Sequence, residues 1–321
     1  MPSNRYTLFA LLTVLLIGSI FSIALAQDAT AIAVTSTPPA SSSANGQIVF
    51  ASTRDGLLGL YLMNADGSNP RKIGNDTGGA DHAAWSPDGT QIAFTTARDD
   101  EGRLEIYVMK ADGSNLRNLT NNNQDDYNPA WSPDGTQIAF ASNRGGSSEI
   151  YVMDADGSNP DQMTKTKRSE TDTDPSWSPD GTQIAFASNR DENQMNYEIY
   201  IMNADGSDMR RLTTDPSIDD SPKWSLDGSQ IAFVSFRDAD PEIYIMNVDG
   251  SNPLNITNTA GNDFHPNWSP DGMQITFSSD RDSINGQTEI YVMNADGSDV
   301  RRLTNDPSFD YRSAWQPVPK P

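Results

Sequence analysis

The sequence predicts an all-β protein, a six-bladed β-propeller with four antiparallel strands per blade, and three observations carry that expectation. Six tryptophans, Trp85, Trp131, Trp177, Trp224, Trp268 and Trp315, are separated by 44 to 47 residues. Between them the same short apolar runs recur in the same order, each bounded by turn residues. No window carries the period of an amphipathic helix. A four-stranded unit repeated every 40 to 50 residues, roughly, is the spacing of a propeller blade.

Ahead of the array, Arg5 precedes an apolar run from Leu8 to Ile23. Ala24-Leu25-Ala26 then supplies the small-x-small pattern of a signal peptidase site, with Gln27 as the new N-terminus. The same segment, 20 residues from Thr7 to Ala26, is also long enough to stay as an uncleaved membrane anchor. Either reading of residues 1–26 exports the rest of the chain to the periplasm, the cell surface or the medium. Residues 27–46 are rich in Ala, Ser, Thr and Pro. They can bury too little apolar area to offset the entropy of ordering, and they read as a flexible linker.

Residues 47–321 hold the repeats. Trp85, Trp131, Trp177 and Trp268 each open a Trp-Ser-Pro-Asp-Gly phrase, and Trp224-Ser225-Leu226-Asp227-Gly228 replaces only the proline. Proline fixes φ and glycine supplies a positive φ, so the phrase is a turn. A second strand follows, such as Gln137-Ile138-Ala139-Phe140-Ala141-Ser142, and then a third, such as Glu149-Ile150-Tyr151-Val152-Met153. An Asp-Gly-Ser turn leads to a short fourth strand, as in Arg211-Leu212-Thr213. The array starts on a second strand, Ile48-Val49-Phe50, and ends on a first strand, Ser313-Ala314-Trp315. The C-terminal strand is therefore expected to join the N-terminal blade and close the ring, leaving no sheet edge bare.

Identity repeated from unit to unit reports repeated packing. The tryptophans are expected to wedge between blades, and the Tyr and Met of the third strands to be core. An arginine ends every second strand: Arg54, Arg98, Arg144, Arg190, Arg237 and Arg281. Five residues before the tryptophan stand Asp126, Asp172, Asp219, Asp263 and Asp310; the remaining unit has Ala80, with Asp81 one place later. First and second strands run antiparallel, so these groups meet at one rim as charge-assisted pairs. The competing expectation turns Asp126, Asp172 and Asp219 toward the channel mouth as ligands of a cation, with Ca2+ suited to their oxygens. The turn Asp154-Ala155-Asp156-Gly157 lacks the later Glu of a calcium-binding loop and reads as a hairpin.

Twenty-two Lys and Arg against 44 Asp and Glu give a net charge of −22. That field repels nucleic acid and anionic membranes, leaving the N-terminal segment as the one membrane link. With no cysteine, disulfides, thiolate zinc and a cysteine nucleophile are excluded. Gly-x-Ser-x-Gly, His-Glu-x-x-His and phosphate-binding glycine loops are missing as well.

The Trp-Ser-Pro-Asp-Gly, Ile-Ala-Phe-x-Ser and Ile-Tyr-x-Met-x-x-Asp-Gly phrases resemble the propeller repeats of the TolB family over residues 47–321. The resemblance implies a six-bladed ring and a place in the bacterial envelope. TolB proteins carry an α/β domain ahead of the propeller, where a linker of about 20 residues stands here. Related propellers also serve as sugar-binding modules, act as pectin-fragment lyases, or sit beside hydrolase domains.

The expected function is that of a non-catalytic scaffold binding an envelope protein, or an acidic glycan or peptide, on its loop and channel-mouth face. The alternative is a metal-assisted polysaccharide lyase or glycoside hydrolase, since carboxylates are plentiful. Function is sought where the repeats differ. Three residues before the tryptophans stand His82, Asn128, Asp174, Ser221, His265 and Arg312. If the ring closes as expected, His82 and His265 flank Arg312, with Asp81, Asp263 and Asp310 near in sequence. Such a cluster would grip a carboxylate, more tightly below about pH 6.5, where free imidazoles charge.

Overall fold

The chain forms six four-stranded antiparallel sheets in a computed structural model that describes residues 46–318 except 75–77, 99–101, 168 and 192–195. The expected signal or anchor lies outside the described residues, as does all of the linker but Gly46. Blade 1 is built from both ends of the array: Asp310–Trp315, Ile48–Ser52, Gly59–Met63 and Arg71–Lys72. The first strands of blades 2 to 6 are Ala80–Trp85, Asp126–Trp131, Asp172–Trp177, Asp219–Trp224 and Asp263–Trp268. Closure is made by register: Ile48 pairs with Trp315, Val49 with Ala314, and Ser52 with Asp310. The Gln316 amide adds a bond to Gly89 O of blade 2 at 2.9 Å.

Each turn is made by its own phrase. The Ser86 hydroxyl donates to Asp88 at 2.6 Å and accepts from the Gln91 amide at 2.9 Å, while Gly89 takes φ 68°. Second and third strands are buried along almost their whole length, because each blade is covered on both faces by its neighbours. Fourth strands are two residues long and mostly exposed, which keeps the outer edge too short to recruit another chain. The indole N–H groups of Trp85, Trp177 and Trp268 each donate to a carbonyl of the preceding blade at 3.2 Å. They are wedges, as expected.

The Arg–Asp rim also forms. Arg54, Arg144, Arg190, Arg237 and Arg281 bind Asp310, Asp126, Asp172, Asp219 and Asp263 at 2.5 to 2.9 Å. Each guanidinium also lies over a Phe and a Tyr ring of its own blade, 4.7 to 5.7 Å from the centroids. Charge, ring face and hydrogen bond hold the same arginine, so the rim locks each hairpin.

Candidate functional site

The six first strands neighbour one another in a closed cycle around the axis, and each carries the same irregularity. In blade 2, Asp81 pairs with Thr95 and Ala84 with Ala93, so His82 and Ala83 together face Phe94. The other five blades repeat this slip at the same place. Two residues opposite one is a β-bulge, which re-aims a side chain out of the ladder. The leading bulge residue has a positive φ in every blade: His82 51°, Asn128 56°, Asp174 54°, Ser221 53°, His265 55° and Arg312 52°. Non-glycine residues pay roughly 1–3 kcal/mol to stay there, Asn, Asp and His the least. The variable slot of the sequence is thus one strained position repeated six times.

The bulges bring different blades into contact. Arg312 of blade 1 donates from Nε to His265 Nε2 of blade 6 at 3.2 Å and from Nη1 to the Asp81 carboxylate of blade 2. Nη2 has no protein acceptor among the described residues. The Asp81 carboxylate also accepts from the His82 backbone N–H at 2.7 Å. The His82 ring nitrogen Nδ1 lies 3.4 Å from that carboxylate, yet makes no hydrogen bond. Across the ring, Asn128 of blade 3 donates to Asp174 of blade 4 at 2.6 Å. Blade 4 is three blades from blade 1, so Asp174 faces Arg312 across the axis.

Burial sets the charges. It pushes the His82 imidazole down to about 3, reinforced by Arg312, and lowers His265 for the same two reasons. Both imidazoles are neutral at ordinary pH, which corrects the expectation that they charge near pH 6.5. A cation beside a buried imidazole opposes its protonation. Burial most strongly opposes ionisation of Asp81, but Arg312 and His82, through charge and hydrogen bonds together, leave that carboxyl below its ordinary value. On the far side burial raises Asp174, and it lifts Asp220 to about 7 with help from the Asp174 charge. Lys223 is lowered by burial and partly sustained by Asp174. It also acts on both histidines, so charges of blades 2, 5 and 6 share the axis.

The structure brings together His82, His265, Arg312 and Asp81, and it separates Asp263 and Asp310 from them. Those two carboxylates are fully buried in the rim with Arg281 and Arg54. Asp126, Asp172 and Asp219 are equally buried against Arg144, Arg190 and Arg237 and do not face the channel. The expected cation ring is corrected accordingly: each carboxylate already has its arginine. No group of three or more His, Cys, Asp or Glu able to hold a metal occurs among the described residues. Asp220 and Lys223 join the site without having been singled out. The signal was present, since Lys223 stands where sister blades have Ala, Ser or Asn.

The sequence matches the TolB beta propeller domain over residues 166–256 and 236–320, and the Tricorn protease N-terminal beta propeller domain over 105–198. TolB from Acinetobacter baumannii superimposes with a TM-score of 0.72 at 22% identity, covering 85% of this chain and 67% of that one. The chain is a TolB-like six-bladed β-propeller. The putative TolB of Agrobacterium tumefaciens is similar as well, with a TM-score of 0.66, 25% identity and coverage of 85% and 99%. An oligogalacturonate lyase from Vibrio parahaemolyticus, at 15% identity and TM-score 0.55 over 81% of this chain and 74% of that one, shares the fold alone. No curated protein matches the sequence.

Proposed function

We propose that this TolB-like propeller is an exported, non-catalytic scaffold that holds a carboxylate-bearing protein segment or glycan at its channel mouth. The observation that carries this reading is the Arg312 guanidinium, with one edge taken by Asp81, Nε by His265, and Nη2 left for an outside acceptor. Asp81 and His265 hold the guanidinium plane in place, so little side-chain entropy is lost when an acidic ligand arrives. The apolar N-terminal run supports export.

The far wall gives the site its pH response. Asp220 takes a proton as pH falls through about 7, which weakens the repulsion an incoming carboxylate meets. Affinity therefore rises toward acid through Asp220, with the imidazoles silent. Calorimetry of short acidic peptides and oligouronides against the parent and an Arg312→Ala, Asp81→Asn double variant tests the reading. The second change removes the charge that the first would strand. Loss of at least tenfold in affinity with an unchanged melting profile is expected. Equal affinity in parent and variant contradicts the proposal.

A further inference from the structure

Blade 2 breaks the rim pattern. Its first strand has Ala80 opposite Thr96, where its sisters have Asp opposite Ser. The carboxylate has moved one residue, to Asp81, and a one-residue move along a strand crosses to the other face. Asp81 serves Arg312 in the channel, and Arg98 is left behind. The guanidinium of Arg98 lies 5.6 Å from the Tyr107 ring, farther out than any rim arginine from its own tyrosine. Arg98 Nη1 and Thr96 Oγ1 are both buried with no hydrogen-bond partner among the described residues. In each of the other five blades the matching hydroxyl accepts from the arginine Nε.

Beside Arg98 lies a cavity of about 10 Å³, lined by Ala80, Phe94 and Arg98 of blade 2 and by Leu60 and Ile73 of blade 1. That is room for about one water-sized particle. A buried guanidinium nitrogen and a buried hydroxyl, both lacking partners among the described residues, favour an occupant that is negative and accepts hydrogen bonds. We propose that the gap left at Ala80 is a binding site for one small monovalent anion of halide size, held by Arg98 Nη1 and the Thr96 hydroxyl. The anion takes the place of the missing aspartate and ties blade 1 to blade 2 near the closing seam.

Bromide is the probe. Crystals of the parent soaked in sodium bromide should show an anomalous peak within hydrogen-bond distance of Arg98 Nη1, absent in Ala80→Asp. In solution the parent should melt about 1–3 °C higher in sodium chloride than in sodium gluconate at equal ionic strength. Ala80→Asp supplies the sixth carboxylate, so it should melt higher than the parent and lose the difference between the salts. Should that variant fail to fold, Arg98→Gln should likewise lose the difference. Bromide found only elsewhere, together with equal melting of the parent in both salts, would show that the gap holds water and overturn the proposal.

Discussion

The rim recurs in five blades and the channel slot in all six, both on the same first strands, and they use repetition in opposite ways. At the rim the side chains are the same in five blades, and each carboxylate is buried against its own arginine. At the slot the backbone is the same in all six blades, with φ between 51° and 56°, and six positions carry five residue types. Constant chemistry at the rim holds the hairpins. Constant geometry at the slot presents variable chemistry to the axis. What a repeat protein keeps identical is therefore packing, and what it varies on a fixed frame is where recognition is written.

Three substitutions break or sharpen that contrast. The largest effect belongs to the rim. Asp126→Ala strands Arg144 and should cost about 3 kcal/mol, read as a fall in the urea midpoint. It also copies the natural state of blade 2, so the variant should gain some of the chloride sensitivity proposed for Ala80.

An intermediate effect is expected from Asp220→Asn at the channel wall. Folding raises the Asp220 pKa from its ordinary value to about 7, so the folded chain binds that proton more tightly than the unfolded one. Its contribution is full below the ordinary carboxylate range and is lost as pH rises to about 7. Buried Glu242, also lifted to about 7, acts in the same direction. Asp220→Asn should therefore raise stability at pH 8 by on the order of 2 kcal/mol and leave it nearly unchanged at pH 4. Urea unfolding across that range checks the sign.

The smallest effect is expected at the slot itself. Ser221→Gly relieves the positive φ of 53° while adding freedom to the unfolded chain, so thermal melting should move by less than about 1 kcal/mol in either direction. A loss comparable with Asp126→Ala would show that the slot is structural too, and the contrast would fall.

The ring was legible because its signals are local and repeated. Pro-Asp-Gly sets a turn without outside help, and alternation sets the faces of the strands. The closing strand followed from the order of the phrases. The site was legible only in part. Asp81 and Asp263 stand one and two residues before a histidine, and one faces the channel while the other is sealed under Arg281. The one-residue offset along the strand decides that difference, and nothing in the residue types announces a positive φ at Ser221 or Arg312. Burial was equally hidden, and it silenced the titration expected of His82 and His265.

The proposed function rests most heavily on the open edge of Arg312. A crystal structure of the propeller with a short acidic peptide or an oligouronide tests it directly. A ligand carboxylate is expected within hydrogen-bond distance of Arg312 Nη2, with Asp81 and His265 keeping their bonds to the same guanidinium. A ligand seated on the outer turns, with Arg312 Nη2 facing only water, would contradict it.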